Sequence, residues 1–322
     1  MSLTVAIADY AARFTVRSES AIDAARRYLI EALARGFESL GDPQCAALVG
    51  PLVPGALMPG GARVPGTSLE LDPAQAAFCL GVMLCRSATR EDWPDLPHAG
   101  AAASLAAVLA TADYRARKAT MEGKAPPTIR DLLAASIKAL ELQCVLAPVS
   151  AEPSAWAASL RLARLAVAAV AAAQLGATQR QIATALSYVC ADGGVSGDPH
   201  EPRQRARRDW ILADAVSRAV RHACQAASTE CATLPAAIEL EIPELIDRSR
   251  GTVFGTELIA QRSNRDSPRE IARVVMRFQS AVDSYFPARQ AERIKVLCAN
   301  PARLDDLPVS ELLAALVTNG AR

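Results

Sequence analysis

The sequence predicts an all-α multi-helix bundle, and three observations support this fold class. Half of the 322 residues are hydrophobic and only 4% are aromatic, and alanine and leucine, the strongest helix formers, dominate the apolar set. Apolar residues recur at helical spacing, and several segments begin with residues that cap helices. Strand signals are few, since the only strand-like run is Ile238–Ile242.

The first predicted helix begins near Ser20, where apolar Ala21, Ala25 and Leu29 repeat at helical intervals. Similar spacing and helix-capping sequences mark the other predicted helices. The predicted helices lie near residues 20–38, 73–88, 102–121, 129–145, 154–175, 179–190, 208–227, 269–285, 288–298 and 309–317.

Four of these helices begin with a capping residue and a partner three positions later. The four sequences are Asp72–Gln75, Thr128–Asp131, Thr178–Gln181 and Ser267–Glu270. In such a capping box each side chain satisfies a backbone N–H that the helix itself leaves unpaired. Proline follows the cap at positions 73 and 268, where its missing N–H is not needed.

Two irregular stretches interrupt the helices. Between Val49 and Leu71 the chain is rich in Pro and Gly, which predicts either a long ordered loop or a linker. Residues 191–207 are rich in Gly, Pro and Arg. The sequence shows neither an internal repeat nor a heptad pattern, so a solenoid and a coiled coil are not expected.

Composition argues against several function classes. The net charge of +1 gives no general reason to expect nucleic acid or an anionic membrane as a partner. The apolar run from Leu165 to Leu175 is too short to span a bilayer, and acidic Asp9 argues against a signal peptide. The eight cysteines have no metal-ligand spacing, which favours reduced thiols in a cytoplasmic protein and argues against a zinc site.

Three stretches carry a family resemblance: GPLVPGALMPGGARVPGTSLELDPAQAAFCL from Gly50, LATADY from Leu109, and DWILADAVSRAV from Asp209. Together they resemble the MmgE/PrpD family. The resemblance extends from about Ser18 to Cys224 and again from Ser267 to Leu313. It implies one helical domain over 1–322, assembled from 1–224 and 267–322. Residues 225–266 would replace the α/β domain that relatives insert there, and a homodimer is expected as in relatives.

The resemblance also implies a reaction: elimination of water, or decarboxylation, on a small tricarboxylic acid without a cofactor. Such chemistry needs a base, an acid and cations that bind carboxylates. Aligned on the family motifs, one family histidine falls on Gly100, a second on Ser159 and a lysine on Arg208. The family's paired aspartates fall on Ala88 and Glu91. The family's best-known reaction is therefore not expected to survive in this chain.

Five nearby residues are candidates for the missing roles. His98 and His200 could transfer protons, because histidine titrates near neutral pH. Arg208 and Arg203 could bind the substrate, since a basic segment leading into a helix N-terminus suits carboxylates. Asp92 could contact the substrate because it lies near the positions of the family's paired aspartates. The alternatives are an exposed loop histidine at 98, a structural hydrogen bond at 200 and a solvated charge run around the arginines.

His222 is expected to be a surface or capping residue, and Asp214, Ser217 and Arg218 to serve helix packing and local ion pairing.

Two hypotheses follow for the function. In the first, the chain is a divergent lyase-like enzyme acting on a small or carrier-bound carboxylated molecule by dehydration, isomerisation or cyclisation. In the second, it is a pseudoenzyme, a scaffold that binds a metabolite or a protein partner over the exposed site. If His98, His200 and Arg208 line one cleft, the enzyme hypothesis gains support.

Overall fold

The computed structural model describes residues 3–86, 100–146, 155–193, 207–228 and 267–318. These ranges contain thirteen helices and one small antiparallel sheet. The helices are α1 (Leu3–Arg13), α2 (Glu19–Leu40), α3 (Pro43–Ala46), α4 (Pro73–Arg86), α5 (Gly100–Met121), α6 (Ile129–Leu146), α7 (Ala155–Gln174), α8 (Gln179–Ala191), α9 (Arg208–Ser228), α10 (Pro268–Tyr285), α11 (Ala288–Ala299), α12 (Pro301–Asp306) and α13 (Val309–Ala315). The strands are β1 (Ala62–Arg63) and β2 (Glu70–Leu71), paired in the register Ala62 with Leu71.

The predicted all-α class is confirmed, and each of the ten predicted helices is present with ends that differ by at most two residues. Sequence reasoning missed α1 and the two short helices α3 and α12, as well as the two-residue strands. Residues 229–266, with the predicted strand Ile238–Ile242, lie outside the described residues. Because α9 extends to Ser228, the first four residues of the predicted replacement segment 225–266 are helical.

The predicted capping boxes explain where the helices begin. Thr178 and Ser267 form reciprocal boxes with Gln181 and Glu270, and the Thr128 N–H donates to the Asp131 carboxylate at 2.8 Å. At α4 the box is half-formed. Asp72 accepts from the backbone N–H groups of residues 74 and 75, but the Gln75 amide donates instead to the Gly50 carbonyl at 2.7 Å.

Small residues allow the central helices to pack closely. A Cβ atom on Gly81 of α4 would lie 2.8 Å from the Ala213 Cα atom of α9, so the two backbones touch. The contact between the Arg86 guanidinium and the Asp209 carboxylate shows that these helices are antiparallel. Helix α7 also packs on α9, and its buried face is largely alanine. The low side-chain volume of this core is what brings the helices near enough for polar groups on different helices to meet.

The Pro/Gly-rich stretch is an ordered loop bound to α5, as one of its two interpretations predicted. The Arg63 N–H donates to the Asp113 carboxylate at 2.8 Å, and the Arg117 guanidinium donates to the Gly61 carbonyl at 2.7 Å. Arg117 also pairs with Glu70 at 2.8 Å. Gly61 has no room for a side chain, since a Cβ would lie 2.2 Å from the Leu71 carbonyl oxygen. This loop therefore belongs to the folded domain.

Within the described ranges, no helix is both long and apolar enough to cross a membrane.

Candidate functional site

Several helices present their ends at one end of the bundle, here called the site end. It comprises the C-terminal ends of α4 and α6 and the N-terminal ends of α5, α7 and α9. The Arg86–Asp209 contact joins α4 to α9, and a hydrogen bond from Gln143 to Ser104 joins α6 to α5. The turn between α7 and α8 lies at the opposite end of the bundle, because Gln181 at the start of α8 donates to the Ala227 carbonyl near the C-terminal end of α9. Since α7 ends at that turn, its N-terminal end lies at the site end, on the same side as the N-terminal end of α9.

Of the five predicted site residues, the structure places one, Arg208. It is the first residue of α9 and is partly exposed. Asp92 and His98 fall in 87–99, and His200 and Arg203 fall in 194–206, both outside the described residues. The helix ends that flank 87–99 and the helix that follows 194–206 all belong to the site end.

The guanidinium of Arg208 has no hydrogen bond or salt bridge to any residue in the described part of the chain. Its neighbour Asp209 is directed to Arg86, whose Nη1 atom lies 3.5 Å from the Asp209 carboxylate. Arg86 also donates to the carboxylate of Asp42 at 2.6 Å and to the amide oxygen of Gln44 at 2.9 Å. Burial raises the pKa of Asp209 despite this contact. Arg86 thus has two carboxylate partners, whereas Arg208 acts on Asp209 through its charge, without a hydrogen bond or salt bridge to it.

The start of α5 is shaped by a buried glutamine. The Gln143 amide nitrogen donates to Ser104 at 3.0 Å and to the Ala139 carbonyl at 2.9 Å. Its amide oxygen is buried without a hydrogen-bond partner. That oxygen lies 1.6 Å from the place where a Cβ atom at Gly100 would stand. Gly100 therefore cannot carry any side chain while Gln143 keeps this position.

Sequence reasoning missed a cluster around Asp192, which lies where α8 ends. Arg164 of α7 is 2% exposed, and it donates to the Asp192 carboxylate at 2.5 Å and to the Gly193 carbonyl at 2.7 Å. Arg218 donates to the same carboxylate at 2.9 Å, and His222 approaches it to 3.0 Å. Partial burial alone would raise the pKa of Asp192, but hydrogen bonds from Arg218 and His222 and the charge of Arg164 lower it to about 2.

The expectation that His222 is a surface or capping residue was wrong. The ring is 7% exposed because α8 and α9 pack at this point, and Asp192 holds its Nε2 atom. One signal could have found this cluster: Asp214, Arg218 and His222 are spaced by four residues and therefore share a face of α9. The expected ion pairing of Arg218 is confirmed, since its guanidinium lies 3.7 Å from Asp214.

The Asp192 cluster is separate from Arg208. Arg218 follows Arg208 by ten residues, which corresponds to about 15 Å along a helix. The cluster fixes the residues that immediately precede 194–206, whereas Arg208 lies immediately after that segment. Among the described residues, no group of three or more His, Cys, Asp or Glu side chains could hold a metal ion. The Asp192 cluster and Arg208 are therefore two distinct charged features of the described part of the chain.

Comparison with known proteins gives a consistent family match. Residues 5–239 match the family model described as "MmgE/PrpD N-terminal domain". The 2-methylcitrate dehydratase of Salmonella typhimurium is 38% identical over 227 residues, which are 70% of this chain and 47% of that protein. The enzyme of the same name from Cupriavidus necator is 39% identical over 227 residues, with the same coverage of 70% and 47%.

The match extends to a eukaryotic relative. The mitochondrial 2-methylcitrate dehydratase of Yarrowia lipolytica is 35% identical over 217 residues, which cover 66% of this chain and 42% of that protein. The chain thus spans less than half the length of the curated relatives that it matches. The matched part contains the site end, whereas α10 to α13 follow the residues matched to the family domain.

Proposed function

Because the chain belongs to the MmgE/PrpD family, we propose that it is a divergent lyase-like enzyme acting on a small or carrier-bound carboxylated substrate. The reaction is a dehydration, isomerisation or cyclisation through an enolate-type step. The observation that carries the proposal is the position of Arg208 as the first residue of α9 at the site end, where its guanidinium makes no hydrogen bond or salt bridge with a described residue. An arginine can bind a carboxylate through two parallel hydrogen bonds and stabilise the negative charge of an enolate.

In this proposal His98 and His200 transfer protons. One removes the carbon-bound proton next to the carboxylate, and the other protonates the departing hydroxyl. Arg203 and Asp92 contact the substrate beside Arg208. An arginine at 208 keeps the charge of the family's lysine but cannot exchange a proton near neutral pH, so both proton transfers fall to other residues. Authentic 2-methylcitrate dehydratase activity is therefore not expected.

The proposal also covers the domain organisation and the assembly of the protein. Residues 225–266 replace the inserted domain that closes the site in relatives, which leaves a more open site suited to a larger or carrier-bound substrate. The enzyme is a cytoplasmic homodimer that needs no cofactor, and a protein partner can cover the exposed site.

The second candidate function is a pseudoenzyme that binds a carboxylate without turnover. The glycine at position 100 favours it, because the family resemblance places a histidine there and the amide oxygen of Gln143 occupies the space that a side chain would need. Loss of one member of a catalytic unit typically costs orders of magnitude in rate. The two functions differ in turnover but share the binding role of Arg208.

A binding assay followed by a turnover assay separates them. The purified protein is titrated with di- and tricarboxylates, including 2-methylcitrate and cis-aconitate, and any ligand that stabilises it is tested for turnover. Arg208→Ala should weaken binding about tenfold or more, because hydrogen bonds to charged groups contribute about 1.5–3 kcal/mol. Arg207→Ala is the matched control, since Arg207 is adjacent and exposed. Turnover supports the enzyme, binding alone supports the pseudoenzyme, and equal affinity in both variants excludes the role of Arg208.

A further inference from the structure

A cavity of about 1110 Å³ lies away from Arg208, between α2 and the C-terminal helices. Its walls come from the end of α2, the loop residues 66–69, the end of α10 and Thr318. One side of the cavity belongs to the part of the chain that matches the family domain, and the other side follows it. Cavities of this size hold small organic ligands in many proteins.

The wall of the cavity is fixed by hydrogen bonds between segments that are distant in sequence. The Gly66 carbonyl accepts from the Tyr285 hydroxyl at 2.8 Å and from the Thr318 hydroxyl at 3.1 Å. The Gly66 N–H donates to the Leu316 carbonyl at 2.7 Å. Gly66 has a φ of +79°, and a Cβ there would lie 2.6 Å from Leu40 and 3.1 Å from Tyr285. The cavity is therefore preformed, because its wall does not depend on a ligand for its shape.

The charge of the lining excludes one class of ligand. In the described part of the chain, no lysine or arginine lines the cavity. The ionisable carboxylate there is Glu38, which Arg277 already binds through its Nε atom at 3.0 Å. An anionic ligand would lose its hydration without gaining a counter-charge. The cavity is thus unsuited to the carboxylates that Arg208 attracts.

The remaining lining combines apolar and hydrogen-bonding groups. Leu40, Leu69 and Tyr285 supply partly exposed apolar surface, and the Tyr285 ring stacks on the buried ring of Phe37 with centroids 5.7 Å apart. Ser68, Ser280 and Ser284, which are exposed, also line the cavity, and their hydroxyls have no hydrogen-bond partner among the described residues. An apolar wall with a few polar groups is the usual composition of a site for an uncharged organic molecule.

We propose that this cavity is a second binding site, which takes an uncharged organic molecule with an aromatic or aliphatic body and a hydrogen-bonding group. The body packs against Tyr285 and Leu40, and the polar group bonds to the serine hydroxyls. The site is independent of the proposed carboxylate chemistry, because Arg208 does not line it.

The test uses small aromatic probes that differ in charge. Phenylacetamide, benzamide and benzyl alcohol are compared with phenylacetate and benzoate by ligand-observed NMR titration of the full chain. The uncharged probes should bind at least tenfold more tightly than the anions. Ser284→Trp fills the cavity and should weaken binding of the uncharged probes at least tenfold. Gln279→Trp is the control, because Gln279 is exposed on the same helix and does not line the cavity.

Three outcomes would overturn the proposal: anions that bind as tightly as uncharged probes, binding that survives Ser284→Trp, or no binding of any uncharged probe. Both variants are first compared with the wild type by urea unfolding, so that a folding defect is not mistaken for loss of the site. Ser284→Trp should also leave carboxylate affinity unchanged. Failure at this cavity is therefore distinguishable from failure at Arg208.

Discussion

Asp113 and Asp192 are two aspartates that the fold holds in opposite ways. Asp113 in α5 is fully buried and receives one backbone N–H, while its other oxygen has no hydrogen bond and lies 3.7 Å from the Arg63 guanidinium. Asp192 receives donors from Arg164, Arg218 and His222. Burial raises the pKa of Asp113 to about 6, whereas donors lower that of Asp192 to about 2.

The difference teaches that burial and the number of donors together decide whether the charged form of a carboxylate is favoured, since the Asp113 side chain is fully buried whereas that of Asp192 is 19% exposed. The loop that contains Arg63 is attached to α5 through Asp113, which titrates in mildly acidic conditions. The end of α8 is attached to α7 and α9 through Asp192, which stays ionised well below neutral pH. Four substitutions test this contrast.

Arg164→Met should have the largest effect. Removing one partner of a buried charge cluster leaves other charges without compensation and typically costs about 3–5 kcal/mol. The free energy of unfolding, measured by urea denaturation at neutral pH, should fall by about that amount. Arg180→Met is the control, because Arg180 is exposed on α8 and its replacement should change stability by less than about 0.5 kcal/mol. Equal effects would show that the Asp192 cluster contributes little.

Asp113 should make the protein less stable as the pH rises. Its pKa is higher in the folded state, so the folded protein binds the proton more tightly than the unfolded chain. The stabilisation is complete below about pH 4 and is lost as the pH rises through about 6, by about 3 kcal/mol. Asp113→Asn should remove this pH dependence, which urea titrations between these pH values would detect. A variant with the wild-type slope would contradict the assignment.

Asp192 should act with the opposite sign. Its pKa is lowered in the folded state, so its stabilisation is present above about pH 4 and is lost as the pH falls towards about 2, by about 2 kcal/mol. Asp192→Asn should therefore flatten the acid limb of the stability curve while leaving the limb between pH 4 and 6 unchanged. If both aspartate variants altered the same limb, the contrast between the two regions would fail.

Arg117→Met should have the smallest effect. Arg117 binds Glu70 and the Gly61 carbonyl, but its partner Glu70 is partly exposed, so a loss of about 1 kcal/mol is expected. Lys118→Met serves as the control, since that side chain is 55% exposed. A loss as large as that of Arg164→Met would show that the loop attachment is as cooperative as the Asp192 cluster.

Local chemistry allowed most of the fold to be predicted. Thr178, Ser267 and Thr128 each mark a helix start, because a capping box is readable from four consecutive residues. Helix α3 escaped prediction because four residues carry no periodic signal. The box at Asp72 is only half-formed because Gln75 donates instead to a carbonyl twenty-five residues away, a contact that four consecutive residues do not reveal.

The site was less predictable, because its contacts join residues that are distant in sequence. Arg164 lies in an alanine-rich apolar helix, and nothing near it in the chain indicates that Asp192 will meet it there. Gln143 likewise gives no sign that its amide oxygen fills the space beside Gly100. Arg208 was predicted correctly as a residue of a helix N-terminus, since a family motif and a helix start coincide there.

The contact between Gln143 and Gly100 couples two positions that lie forty-three residues apart. A histidine introduced at position 100 would place its Cβ atom 1.6 Å from the amide oxygen of Gln143, so the amide would have to move. That movement would disturb the hydrogen bonds from Gln143 to Ser104 and to the Ala139 carbonyl. The effect of a substitution at either position therefore depends on the residue at the other, and the two form an epistatic pair.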